Sequence, residues 1–139
     1  MVRKSKVLGL DIGTKRIGCA VAYADGIAVR TLDIIQRRGD FSEVSNIKKI
    51  IEDENISLIV IGLPYNMDGS EGKRIEDARL YAGELKKRLR LDIDFQDERL
   101  STVEAERMIS HLKSKKRSKL KKNIDSIAAE VILRDYLQT

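Results

Sequence analysis

Three features of the chain predict an α/β protein, a five-stranded mixed sheet with helices on both faces. Two short apolar runs, Val7–Leu10 and Ile17–Ala22, are joined by a tight polar turn, the pattern of an antiparallel hairpin. A later apolar run, Leu58–Leu63, follows a segment whose apolar residues recur at helical spacing, which gives a strand–helix–strand crossover. The near-continuous apolarity of these runs marks strands covered on both faces.

Taken in order, the first strand carries Asp11 near its end and leads into the turn Gly13-Thr14-Lys15-Arg16. Asp25-Gly26 signals a second hairpin turn. Ala28–Ile35 then returns as a third strand, and its Arg30, Thr31 and Asp33 suit a sheet edge. Phe41, Val44, Ile47, Ile50 and Ile51 form a helical stripe over Phe41–Asn55. After the strand Leu58–Leu63, the stretch Pro64–Gly72 breaks the pattern and reads as a loop. Lys73–Leu89 is helical, with Ile75, Ala78, Ala82, Leu85 and Leu89 on one face, and Leu91–Gln96 is a fifth strand. Ser101 and Glu104 have the spacing of a capping box and open a further helix. Asn123 caps a last helix through Leu137, with Ile124, Ile127, Val131 and Ile132 inward. The sheet therefore has three antiparallel strands followed by two parallel ones. No repeat or linker divides the chain, and residues 1–139 are expected to form one domain.

Composition narrows the function. With 42% apolar and 35% charged residues the chain reads as globular and soluble. No apolar run approaches the length of a membrane span and no signal-peptide pattern is present, so neither a membrane role nor secretion is expected. Cys19 is the only cysteine, which excludes an internal disulfide and a cysteine zinc site and fits a reducing cytoplasm. Within its apolar strand it reads as a core residue. The net charge is +5, but it is not spread evenly: residues 113–122, KSKKRSKLKK, hold seven basic residues and no acid. Such a cluster suits a polyanion, above all nucleic acid, and Lys115, Lys116 and Arg117 stand at its centre.

Three acids stand out by position: Asp11 in the first strand, Glu98 just after the fifth, and Asp125 in the first turn of the last helix. A lone carboxylate inside apolar sequence is costly without a partner. Because strand residues alternate between faces, only one of Asp97 and Glu98 can face a shared site. Strand ends of an open α/β sheet are where ligands bind. Three carboxylates converging there suit magnesium or manganese, hard ions that prefer oxygen donors. The turn after Asp11 offers backbone amides and the side chains of Lys15 and Arg16, which suit phosphate. Arg16 and Arg99 flank two of the acids and either grip phosphate or orient the carboxylates. Ser101 and Thr102 have no evident base, and the capping role accounts for Ser101. His111, the only histidine, reads as structural or surface.

Together these motifs resemble the YqgF (RuvX) family along nearly the whole chain. The carriers are Asp11-Ile12-Gly13-Thr14-Lys15-Arg16-Ile17-Gly18; Gly62-Leu63-Pro64 with Asn66 and Asp68-Gly69; Asp97-Glu98-Arg99-Leu100-Ser101-Thr102; and Asp125 followed by Ala128-Ala129. The resemblance implies an RNase H-like fold and a cytoplasmic, magnesium- or manganese-dependent nuclease. Its substrate would be structured RNA or branched DNA, with a role in maturing the 5′ end of pre-16S ribosomal RNA or, alternatively, in resolving Holliday junctions. It implies Asp11, Glu98 and Asp125 as catalytic acids and metal ligands. The chain departs from the related junction resolvases at Ala128, where they carry a second acid one turn after the last aspartate; this implies a leaner metal site. A monomer or weak homodimer is expected, with no membrane partner.

Two rival readings are weaker. Asp-Ile-Gly-Thr before a hairpin also resembles the first phosphate motif of the actin–sugar kinase class, but that architecture needs two such domains and a second motif. A non-catalytic nucleic-acid-binding module would explain the basic run but not three placed acids, which repel phosphate unless a metal intervenes.

Overall fold

The computed structural model describes residues 5–26, 28–65, 68–98 and 124–138, with Ile124 and Asp125 as backbone only. Eight elements follow one another: β1 (Lys6–Ile12), β2 (Arg16–Tyr23), β3 (Val29–Gln36), α1 (Val44–Glu54), β4 (Ile56–Leu63), α2 (Lys73–Leu89), β5 (Asp92–Asp97) and α3 (Ile124–Leu137). The sheet order is β3-β2-β1-β4-β5. β1–β2 and β2–β3 pair antiparallel, and β1–β4 and β4–β5 pair parallel. The expected mixed sheet is therefore present, with β3 at its edge.

The β1–β2 turn closes tightly, the Gly13 amide donating to the Arg16 carbonyl at 2.9 Å. A Cβ at Gly13 would lie 2.6 Å from that same oxygen, so the turn takes only glycine. β1 lies at the centre, and alternation sends its residues to two separate cores. Leu8, Leu10 and Ile12 join Ile59, Ile61, Ile75, Tyr81 and Leu85 beneath α1 and α2. Val7 joins Ala20, Ala22, Val60, Ala129, Ile132 and Leu133 beneath α3.

Glycine floors the contact between α3 and the sheet. A Cβ at Gly9 would lie 2.5 Å from Leu133 Cγ, and one at Gly62 would lie 2.4 Å from Ile132 Cδ1. Ala20, Ala22 and Ala129 keep the rest of the contact shallow. The helix height above β1 and β4 is thus set by main chain rather than by long side chains.

The helix limits have local causes. α1 starts at Val44, three residues later than the stripe suggests, because Phe41 takes a left-handed φ of 64°. Phe41 stays apolar and useful there, its ring 5.5 Å from that of Tyr81. α1 and α2 end on left-handed Asn55 and Arg90, whose amides return to Ile51 and Lys86 carbonyls. Cys19 is buried as expected, and burial pushes its thiol pKa up to about 12, which leaves it unreactive. Among the described residues no helix is long and apolar enough to cross a membrane.

Candidate active site

The parallel strands β1, β4 and β5 end at one edge of the sheet. Asp11 is the penultimate residue of β1 and pairs with Gly18 of β2. By alternation it shares the α3 face with Val7 and Gly9. Glu98 lies one residue beyond β5, and its amide donates to the Leu63 carbonyl at 3.0 Å, which carries the β4–β5 pairing one step further. Its side chain runs past Gly62, where an added Cβ would be 3.3 Å from Glu98 Cγ. Gly62 thus leaves room both for Ile132 from α3 and for this acid. Glu98 is only 5% exposed, whereas Asp97 is exposed, so the two neighbours differ in burial as strand alternation requires. Of the two described acids Glu98 is the more enclosed: the Asp11 side chain is 21% exposed. Apolar sequence neighbours enclose Asp11 along the chain, but tertiary neighbours enclose Glu98.

The third acid is placed through its backbone. Asp125 lies in the first turn of α3, and the next residue, Ser126, anchors that turn. Ser126 Oγ accepts the Cys19 amide at 3.3 Å and donates to the Leu32 carbonyl at 2.6 Å. The β2–β3 register shifts between Ile17 and Cys19, and Ser126 bonds the two strands where the ladder is irregular. Cys19 adjoins Gly18, the cross-strand partner of Asp11. The start of α3 is therefore tied beside the strand pair that carries Asp11. The Asp125 side chain, Arg99, the helix expected from Ser101, His111 and the basic run with Lys115, Lys116 and Arg117 lie outside the described residues. Among the described residues no three His, Cys, Asp or Glu side chains come together as a metal cluster. The described acids of the expected set, Asp11 and Glu98, are both hard oxygen donors, which suits magnesium or manganese.

Beside Asp11 the wall is basic. Gly13, Thr14, Lys15, Arg16 and Arg74 line an open hollow of about 290 Å³. Lys15 and Arg16 are exposed on the turn. Arg74, in the first turn of α2, brings Nη2 within 3.8 Å of Asp11 Oδ1. The two sides of the hollow, turn and helix, are clamped together by Arg37. Its amide donates to the Lys15 carbonyl at 2.8 Å and its guanidinium donates to the Gly13 carbonyl at 2.8 Å. The same guanidinium forks onto Asp77 of α2 at 2.6 and 3.2 Å and lies 4.6 Å from the Tyr81 ring centre. Asp77 holds the Arg37 pKa above its ordinary value.

Under the clamp, buried Glu43 accepts the Tyr81 hydroxyl at 2.5 Å and the Arg38 amide at 3.1 Å. Burial alone would raise the Glu43 pKa, but these donors hold it below its ordinary value of 4.5. A carboxyl whose folded pKa is depressed stabilises fully above its unfolded value and loses that contribution as pH falls through the folded value. Acid unfolding below pH 4.5 is therefore expected to draw partly on Glu43. In Glu43→Gln, urea midpoints measured from pH 6 down to pH 3 are expected to fall less steeply than in the parent. Parallel curves would remove Glu43 from the acid response.

Arg74, Arg37 and Ser126 are the residues that sequence reasoning missed. Arg74 reads as solvent face of a helix, Arg37 as part of a polar turn, and Ser126 as an ordinary residue of an N-terminal turn. Each acts on a residue far along the chain, Ser126 across 107 positions, and no local spacing reports that.

A family model described as "RuvX: Holliday junction resolvase" matches residues 5–139. The chain belongs to the RuvX family. It is 43% identical over 136 residues to a Leuconostoc mesenteroides protein named "Putative pre-16S rRNA nuclease", covering 96% of this chain and 95% of that one. A Streptococcus suis protein of the same name is 38% identical over 135 residues, covering 95% and 96%. Among solved structures, Thermus thermophilus RuvC in complex with a Holliday junction substrate aligns with a TM-score of 0.55 at 11% identity, covering 96% of this chain and 93% of that one. Fowlpox virus resolvase in complex with Holliday junction DNA aligns with a TM-score of 0.56 at 12% identity, covering 96% and 97%. The RuvX membership and the RNase H-like fold expected from the four motifs are thus both found.

Proposed function

We propose that this RuvX chain is a metal-dependent nuclease that hydrolyses phosphodiester bonds in the 5′-end maturation of pre-16S ribosomal RNA, acting in the cytoplasm as a monomer or weak homodimer. One observation carries the reading. A buried Glu98 and a half-buried Asp11 share one face and one end of the sheet, beside a hollow lined by Lys15, Arg16 and Arg74. Acids beside a phosphate-sized basic surface suit hydrolysis of a polyanion through a divalent ion. The names of the 43% and 38% identical relatives support the RNA substrate.

In this reading Asp11, Glu98 and Asp125 hold magnesium or manganese. When bound, that ion supplies Lewis-acid activation of water and charge stabilisation at the phosphate. Lys15 and Arg16 hold backbone phosphate at the hollow, and Arg99, Lys115, Lys116 and Arg117 extend the contact along the nucleic acid. Ser126 keeps the first turn of α3, and with it the Asp125 backbone, against β2 and β3. Enclosure of Glu98 by Gly62 and α3 fixes its carboxyl without long flexible reach.

Junction resolution is the second reading, favoured by the family description and by the fold shared with junction-bound resolvases. Ala128, buried on α3 one turn after Asp125, offers no further acid, which favours the leaner RNA-directed site. The test incubates pure protein with a pre-16S 5′-leader RNA and a four-way DNA junction, each with magnesium, manganese or chelator. Cleavage of the RNA alone, abolished by chelation, is expected. Junction cleavage alone would reverse the order of the two readings, and cleavage at unchanged rate in chelator would end the metal reading.

A further inference from the structure

Arg74 is oddly placed for a structural arginine. It lies in the first turn of α2, where the helix dipole disfavours a cation, and Gly72 gives that end no side-chain cap. A residue that breaks a local rule calls for a reason elsewhere. Its contact to Asp11, at 3.8 Å, is a charge–charge approach longer than a hydrogen bond. The Arg74 side chain is 48% exposed, so the pairing is weak and easily exchanged. On its other side Arg74 lines the hollow with Lys15 and Arg16, three cations around a space large enough for a phosphate. The same guanidinium thus stands between an acid of the proposed metal site and a basic pocket.

We infer that Arg74 is an exchangeable counter-ion that neutralises Asp11 in the metal-free protein and turns into the hollow to bind a backbone phosphate once Asp11 is committed to metal. The inference rests on the nuclease reading and adds a coupling to it. A divalent ion beside Asp11 repels the guanidinium, and a phosphate in the hollow attracts it. Metal and nucleic acid therefore tighten each other's binding, and by linkage the effect is reciprocal. Charge-assisted bonds from a planar guanidinium to phosphate supply the attractive half.

The experiment uses the full chain, Arg74→Ala, Arg74→Lys and Asp11→Asn. Manganese binding is measured by calorimetry without nucleic acid. Binding of a fluorescein-labelled RNA hairpin with a single-stranded 5′ extension is measured by anisotropy in calcium and in chelator, and thermal melting in chelator checks the fold. Arg74→Ala is expected to bind manganese about threefold tighter, the scale of releasing an exposed ion pair. Its RNA affinity is expected to fall about tenfold in calcium but only about threefold in chelator, the same roughly threefold coupling read from the RNA side. Arg74→Lys is expected to keep part of the coupling. Unchanged or weaker manganese binding by Arg74→Ala overturns the inference, as does an equal loss of RNA affinity with and without calcium. Manganese binding by Asp11→Asn at parent strength overturns the metal reading, and the inference with it. Loss of manganese by Asp11→Asn, with Arg74→Ala at parent strength, overturns the inference alone.

Discussion

Asp11→Asn is expected to lower single-turnover cleavage at least about 10²-fold, the scale of removing one preorganised electrostatic group. The substitution keeps the shape of the side chain and removes only its charge. Glu98→Gln, at the more enclosed of the two acids, and Asp125→Asn are expected to behave alike. Folding is expected to survive. The Asp11 pairing with Arg74 is exposed enough to contribute at most about 1 kcal/mol, and β1 keeps its ladder on both sides. RNA binding in chelator is expected to persist or tighten, because a carboxylate that repels phosphate has gone. The measurement pairs cleavage in magnesium with binding and melting in chelator. Normal cleavage, or simple unfolding, would make Asp11 a structural residue of the turn.

The second large effect is expected on affinity rather than on chemistry. Each phosphate neutralised contributes roughly 0.7–0.9 log units of affinity per log unit of salt. Replacing Lys115, Lys116 and Arg117 together by Ala is therefore expected to flatten the salt dependence of RNA binding by up to about three such steps. Cleavage at saturating protein is expected to change little, and sequence preference hardly at all, since phosphate contacts position rather than specify. A titration of binding between low and moderate salt reads the slope directly. An unchanged slope would reduce the basic run to a solvated segment.

The fold was legible where sequence neighbours decide it. The hairpin through Gly13–Arg16, the strand ending at Leu63 and the helix Lys73–Leu89 follow from local turn chemistry and from apolar spacing. The start of α1 was not legible, since a left-handed Phe41 is fixed by its packing on Tyr81 and not by spacing. For the site, an acid in an apolar strand drew attention to Asp11, and alternation separated Glu98 from Asp97. The deep burial of Glu98 was not legible, because it sits beside Gly62 where Ile132, from a helix distant in sequence, also packs. The clamp of Arg37 on Gly13 and Asp77, and the bridge from Ser126, are long-range bonds between residues that look ordinary in their own neighbourhoods.

The glycine floor under α3 also bears on the order in which the molecule assembles. Gly9 and Gly62 receive Leu133 and Ile132 only after β1 and β4 lie side by side, and the Ser126 bridge needs β2 and β3 already joined. A contact spanning 107 residues rewards its closure only when the surface it lands on exists. Docking of α3 is therefore expected to be a late event, with Asp125 arriving with it. A chain that has formed its sheet but not seated this helix holds two of the proposed acids and lacks the third. In refolding from urea, nuclease activity is expected to return after the sheet signal, with the slowest phase. A partly folded chain would then be bound to RNA yet silent towards it.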